Sequence, residues 1–354
     1  MNNRTVIVIT GPTASGKTSL GVSLALTLGT EVVSADSMQL YRGMDIGSAK
    51  PTREEMRGVP HHMIDVADPA EDYSVSRWVE NAAACCDALL AGGKTPVIVG
   101  GTGLYIESLL SGRDFSAAPG DSGVREALGA EYDALGGAAF REKLRLVDPE
   151  RAEKLAPGDK KRLVRAMEVY TLTGETITAH DARTKALPPR YASRRFALTW
   201  NERETLYARI RQRVDEMVAA GLFEEVERLL GAGLSDSCTA MQAIGYKEIA
   251  AALRGECSPE DAIETVKRES CRYAKRQLTW LRRDRDLIWL PREEYPTEDD
   301  LLAAVLDTKT PSPPAFVRRS LAEFAPAGAN RFLTIFSGDM CVGENTSRLA
   351  NVRA

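Results

Sequence analysis

Gly11-Pro12-Thr13-Ala14-Ser15-Gly16-Lys17-Thr18 matches the pattern G-x-x-x-x-G-K-[ST] in full. Its flanks have the order such a loop needs. Val6-Ile7-Val8-Ile9-Thr10 in front is a continuous β-branched run, the pattern of a strand buried on both faces. Behind the loop, Leu20, Leu24 and Leu28 recur at the spacing of a helix with one buried face. An ordinary glycine turn would not be framed in this way. Glycines let backbone N–H groups approach phosphate oxygens, and the helix N-terminus adds partial positive charge. Lys17 is placed to reach an outer phosphate and the Thr18 hydroxyl to ligate magnesium. All eight residues, Gly11, Pro12, Thr13, Ala14, Ser15, Gly16, Lys17 and Thr18, are therefore candidates for diphosphate or nucleotide binding. The motif asks for a diphosphate or triphosphate without saying which compound carries it.

Outward from the loop, strands and helices alternate. Residues 31–35 read as a second strand ending at Asp36, residues 62–66 as a third, and residues 96–99 as a fourth that delivers Gly100-Gly101-Thr102-Gly103. Ser74 or Ser76 caps a helix running to about residue 91, and another spans 104–110. Alternation of this kind predicts a doubly wound parallel sheet covered on both faces, with ligands beyond the carboxyl ends of its strands. Asp36 and Gln39 fall on the same rim as the P-loop. From 115 to 193 the signals are only helical, at 125–132, 139–146, 150–155 and 160–172, so this segment reads as a helical insertion into the α/β core. Strand character returns at 196–200. Asn201 with Glu204 reads as a capping pair for a long helix interrupted at Gly221, and another helix is expected at about 240–253. Ser258-Pro259 opens a helix reaching about residue 283, followed by a strand at 287–290 and a helix at 298–306. The expected organisation is a core in two parts, 1–114 and 194–310, the insertion between them, and a poorly ordered tail at 311–354.

The 354 residues are 44% hydrophobic and 27% charged, the balance of a globular protein with a sizeable core, and the net charge is −4. No secretory leader pattern opens the chain and no apolar run approaches the ~20 residues of a membrane span, so a cytoplasmic protein is expected. The six cysteines lack paired metal-ligand spacing, which argues for free thiols and against zinc. Charge is unevenly spread. Residues 160–213 hold thirteen Lys or Arg against five Asp or Glu, a local +8, and residues 265–283 hold seven against one, a local +6. In the second segment Arg268, Arg272, Lys275, Arg276, Arg282 and Arg283 largely share one helix face. Beside a phosphate-gripping loop, two such segments point to a polyanion, RNA or DNA, as a partner.

Five stretches taken together carry a family resemblance. They are Gly11–Thr18, Ser34-Ala35-Asp36-Ser37-Met38-Gln39-Leu40-Tyr41, the run from Gly43 to Pro51, Gly100-Gly101-Thr102-Gly103-Leu104-Tyr105, and Ala274-Lys275-Arg276-Gln277-Leu278-Thr279-Trp280-Leu281-Arg282. In this order they resemble the bacterial tRNA dimethylallyltransferases, or tRNA isopentenyltransferases, over about residues 5–307. The resemblance implies transfer of a dimethylallyl group from dimethylallyl diphosphate to the exocyclic amine of the adenosine beside the tRNA anticodon. The P-loop would then hold the isoprenoid's diphosphate in place of ATP, with magnesium at Thr18 as cofactor. Lys17, Arg203 and Thr102 are implied at the reaction centre. Asp36 is read as general base, with a magnesium-ligand role as its rival. The segment Asp36, Ser37, Met38 and Gln39 would meet the target adenosine, Ser37 and Gln39 orienting its edge, and Thr102 would touch the same nucleotide. Lys161, Arg162, Leu163, Val164 and Arg165, together with Arg272, Lys275, Arg276 and Arg282, are implied in binding the anticodon stem-loop. A monomer is expected, and His61 and His62 are given a structural role only.

Two other readings stand beside this one. A small-molecule phosphotransferase would use the same loop, with Asp36 as a metal or substrate ligand and the insertion as a lid. A nucleotide-switched RNA-binding protein would use it without group transfer. Both need ATP or GTP.

Overall fold

The computed structural model describes residues 4–112 and 121–307. Six parallel strands form one sheet in the order β3-β2-β4-β1-β5-β6, with β1 Thr5–Thr10, β2 Val32–Ser34, β3 His61–His62, β4 Val97–Val99, β5 Ala192–Thr199 and β6 Leu287–Pro291. Side chains alternate between two cores. Val6 and Val8 face one side of the sheet, Ile7 and Ile9 the other, and Ile98 is opposed in the same way to Val97 and Val99. Burial of this kind is worth roughly 1.5–3 kcal/mol per large aliphatic side chain. Both faces need covering, which is why the strands are joined by helices and run parallel.

The helices follow from the pattern. α1 Lys17–Leu28 lies on one face, and α2 Arg53–Met56 is a single turn held by a Thr52/Glu55 capping box. α3 Val75–Ala91 is capped by Ser74 and packs on α4 Gly103–Leu110 on the opposite face, where Trp78 stacks on Tyr105 at 4.4 Å. The insertion comprises α5 Ser122–Leu135, α6 Gly137–Val147, α7 Pro149–Lys154, α8 Lys160–Thr173 and α9 Ile177–Lys185. It has a core of its own, built from residues such as Leu128, Phe140, Leu144, Leu163 and Met167. Then come α10 Arg203–Ala219, α11 Leu222–Gly231, α12 Tyr246–Leu253, α13 Pro259–Leu281 and, after β6, α14 Glu298–Leu306 beside α1.

The doubly wound parallel sheet is as the sequence predicts, and the departures have local causes. The third strand stops at His62, because Met63 and Asp65 take left-handed φ of 63° and 56°, which no strand can continue through. His62 pairs with Glu31 at 2.7 Å and His61 with the Val59 carbonyl at 2.8 Å, both structural contacts. α9 was not expected; it has little apolar patterning and starts at a Thr176 cap. The Asn201–Glu204 capping pair does not form: Glu202 is the N-cap, and the Asn201 N–H donates to Glu293 at 2.9 Å. Residues 240–245 are turns, so α12 begins at Tyr246. The expected boundary at 114/115 and the tail at 311–354 lie outside the described residues.

Candidate active site

The carboxyl ends of β1, β2 and β4, together with α10 and α13, enclose a cavity of about 400 Å³. The loop after β1 forms one wall. Gly11 has φ 142°, and a Cβ there would lie 2.4 Å from the Leu198 carbonyl oxygen, so no other residue lets the loop pass so close to β5. Gly16, the N-cap of α1, makes no side-chain cap, so the first-turn N–H groups of that helix are left for an anion. Lys17 and Thr18 line the cavity. Lys17 Nζ donates to the Pro12 carbonyl at 2.7 Å. Burial, reinforced by the Arg213 guanidinium, pulls its pKa down to about 7, while Asp36 acts weakly the other way. The pocket wall thus holds surplus positive character that an anion would satisfy.

The second wall is the turn after β2. Asp36 Oδ1 accepts from the backbone N–H of Met38 at 2.9 Å and of Gln39 at 3.4 Å, fixing the carboxylate on the rim. Thr102, from the turn after β4, accepts from the Ser37 N–H at 3.1 Å. It is outside the cavity lining and stands behind Ser37, positioning the turn. Gln39 lines the cavity, but its amide is committed elsewhere. Its Oε1 accepts from Ser34, and its Nε2 donates to the carbonyls of Ser48 and Ala49. The amide thus ties β2, through Ser34, to the turn at residues 48–49, and its Nε2 protons are engaged there in place of the base edge it was expected to orient. The next segment is anchored by buried Glu225 of α11, which accepts from the N–H groups of Asp45, Ile46 and Gly47 and from the Tyr246 hydroxyl. That anchor holds Gly47, Ser48 and Ala49 against the cavity.

α10 and α13 supply the third wall. From α10 come Ile210, Arg213, Val214 and Met217, and from α13 come Val266, Tyr273, Arg276 and Gln277. Burial also pulls the Arg213 pKa down. Tyr273 is pushed up to about 12 by burial and then by Asp36, and its side chain contacts those of Thr102 and Gln277. Two arginines line the cavity, Arg213 of α10 and Arg276 of α13, the latter expected only on the tRNA surface. Arg203, expected in the cavity, is exposed at the first position of α10, outside the lining, where its charge lowers the pKa of half-buried Arg282. Sequence reading missed Arg213, Tyr273 and Gln277. Gln277 lay inside a quoted motif and Arg213 inside the basic segment, but nothing local marked either one. The patch of Ile210, Val214, Met217 and Val266 beside the cations makes the cavity half apolar in character, fit for a short hydrocarbon carried on a phosphate group.

On the outer surface Lys161 and Arg162 are exposed on α8, and Arg272 and Lys275 on α13. Leu163 and Val164 are corrected. They are 0% and 5% exposed in the insertion core, so the helix turns only its basic side outward. Arg165 is half-buried and pairs with buried Glu168 at 2.9 Å.

Among the described residues no cluster of His, Cys, Asp and Glu could by itself hold a metal ion. The Thr18 hydroxyl and Asp36 carboxylate do line one cavity. A donor set so sparse suits magnesium, which keeps several waters and is held largely by substrate phosphates.

The family model described as IPP transferase matches residues 39–284, and one described as isopentenyl transferase matches residues 4–68. A tRNA dimethylallyltransferase of Acetivibrio thermocellus is 44% identical over 297 residues, 84% of this chain and 95% of its own length. One of Desulforudis audaxviator is 47% identical over 82% of this chain and 92% of its own. The crystal structure of a tRNA isopentenylpyrophosphate transferase from Bacillus halodurans matches with TM-score 0.63 and 37% identity, covering 90% of this chain and 99% of that one. A eukaryotic dimethylallyltransferase described as acting on tRNA matches with TM-score 0.76 at 26% identity, over 90% of this chain and 83% of its own.

Proposed function

The chain belongs to the IPP transferase family, and from that premise we propose how the cavity at the P-loop divides the work of the family's reaction. The protein is a tRNA dimethylallyltransferase: it moves a dimethylallyl group from dimethylallyl diphosphate to the exocyclic amine of the adenosine next to the anticodon, releasing diphosphate. The donor's diphosphate sits on the P-loop, held by the N–H groups at the start of α1, by Lys17 and by Arg213. Its five-carbon chain lies along Ile210, Val214, Met217 and Val266. The target adenosine is unstacked and enters over the Asp36–Met38 turn.

In the chemical step the amine nitrogen bonds to the allylic carbon, and the carbon–oxygen bond to diphosphate breaks with its electron pair passing to the leaving group. Lys17 and Arg213 stand where that negative charge grows. The amine becomes acidic as it attacks, and Asp36 takes its proton. Magnesium, held by Thr18 and the diphosphate oxygens, would supply further neutralisation of the leaving group. Outside the cavity, the basic sides of α8 and α13 grip tRNA phosphates.

The observation that carries this reading is the pairing, in one cavity, of a cationic phosphate loop with an apolar patch and a fixed carboxylate. A phosphotransferase would need the cavity to take ATP. Direct competition tests this: dimethylallyl diphosphate should displace a labelled donor at far lower concentration than ATP does. Tighter binding of ATP than of the isoprenoid would overturn the proposal in favour of a phosphotransferase.

A further inference from the structure

Gln277 is one of the few buried polar side chains among the described residues, 7% exposed on a helix whose nearby Lys275 faces solvent. Its amide joins two glycine-rich turns. Oε1 accepts the Thr13 N–H at 2.9 Å, and Nε2 donates to the Gly101 carbonyl at 3.0 Å. The approach depends on Gly101, since a Cβ there would lie 2.3 Å from Nε2.

The Thr13 N–H belongs to the same peptide group as the Pro12 carbonyl, which accepts from Lys17 Nζ at 2.7 Å. That one peptide is therefore held at both ends, its oxygen by Lys17 and its N–H by Gln277. In a P-loop the lysine reaches the outermost phosphates while loop N–H groups cradle the inner ones. The peptide at the tip of Lys17 is thus the one a terminal phosphate would meet. Here its donor is already spent.

We propose that Gln277 is a positioning and specificity residue, closing the outer end of the P-loop so that the site takes a diphosphate in preference to a triphosphate. This rests on the assignment of the loop to the donor's diphosphate. With the Thr13 N–H engaged, a third phosphate gains no backbone donor there and has to be desolvated without compensation. A diphosphate stops short of that position and loses nothing. The helix that carries Gln277 also carries Tyr273 and Arg276 into the cavity, so the amide fixes the loop relative to both.

The experiment uses the full chain and inorganic polyphosphates as probes. Inhibition constants of diphosphate and tripolyphosphate are measured against dimethylallyl diphosphate for the wild type, Gln277→Met, Gln277→Glu and Gly101→Ala. The wild type should prefer diphosphate. Gln277→Met keeps the volume but frees the Thr13 N–H, so the ratio of the two constants should move about tenfold toward tripolyphosphate, the worth of one hydrogen bond to a charged group. Gly101→Ala should do the same by pushing the amide away, and Gln277→Glu, which keeps an acceptor, should hold the wild-type preference. Retained tRNA binding reports that a variant is folded; should Gln277→Met fail that check, the Gly101→Ala ratio decides. Constants that move together, or not at all, would overturn the proposal, because a merely structural residue weakens both anions alike. If neither anion competes even in the wild type, the assignment of the loop to the donor falls instead.

Discussion

Lys17 of α1 and Arg213 of α10 line one cavity, where burial and then the Arg213 guanidinium hold the Lys17 ammonium down to about pKa 7. A diphosphate placed between them reverses that balance, because a nearby dianion favours the charged amine. Below about pH 7 Lys17 is already protonated and donor binding takes up no proton through it. Above pH 7 the free pocket has lost that proton and the complex regains it, so binding is coupled to proton uptake. Donor affinity should therefore fall as pH rises from 7 to 9, by close to tenfold per unit once well above the free value. Calorimetry in buffers of different ionisation enthalpy counts the proton. No uptake at pH 8 would contradict the assignment.

Arg213→Ala removes a cation from the leaving group and should lower turnover by about 100-fold, the scale of losing one preordered charge-stabilising group. The same change removes the second contribution to the Lys17 shift, so the fall of donor affinity with pH should begin at a higher pH. Arg203→Ala, at an exposed position outside the cavity, should change donor binding by much less. Steady-state kinetics of the two variants across pH 6–9 separate the two arginines. Equal damage from both would return Arg203 to the diphosphate.

Glu225→Ala orphans three backbone N–H groups and the Tyr246 hydroxyl around a carboxylate only 4% exposed. A loss of roughly 3 kcal/mol of stability is expected. Glu225→Gln keeps an acceptor and should lose less. Denaturant midpoints at constant m-value measure both. An unchanged midpoint for the alanine variant would show that the 45–47 loop is held by something else.

Lys161→Ala with Arg162→Ala, and Arg272→Ala with Lys275→Ala, remove exposed cations from α8 and α13 without entering the cavity. If all four meet phosphate, the slope of log affinity for tRNA against log salt should become shallower by roughly 0.7–0.9 per residue removed. Donor affinity should stay as it is. A tRNA salt dependence identical to wild type would place the RNA on another surface.

The parallel sheet was legible because β-branched runs, a glycine loop and amphipathic helices are local patterns, and Val6–Thr10 before Gly11–Thr18 is the clearest of them. What escaped was set by contacts distant in sequence. Thr13 and Gln277 are 264 residues apart, and no period or propensity connects them. Arg213 and Arg203 are both arginines of one basic helix, and only the direction in which α10 packs, with Leu206, Ile210 and Val214 inward, separates the cavity residue from the exposed one. Leu163 and Val164 were read with their basic neighbours as one surface, although their apolar side chains belong to the insertion core. Gln39 was legible as a rim residue, but not that its amide was already committed to Ser34, Ser48 and Ala49.

The most direct test of the division of labour in the cavity is single-turnover transfer by Asp36→Asn, with labelled dimethylallyl diphosphate and tRNA both saturating. Asparagine keeps the shape and an oxygen for the N–H groups of Met38 and Gln39, which Asp36 now satisfies, but it cannot accept the amine's proton. Both substrates should bind nearly as in wild type, while the transfer rate falls by ~10²–10⁴-fold at every magnesium concentration. A rate restored by raising magnesium would contradict this and make Asp36 a metal ligand.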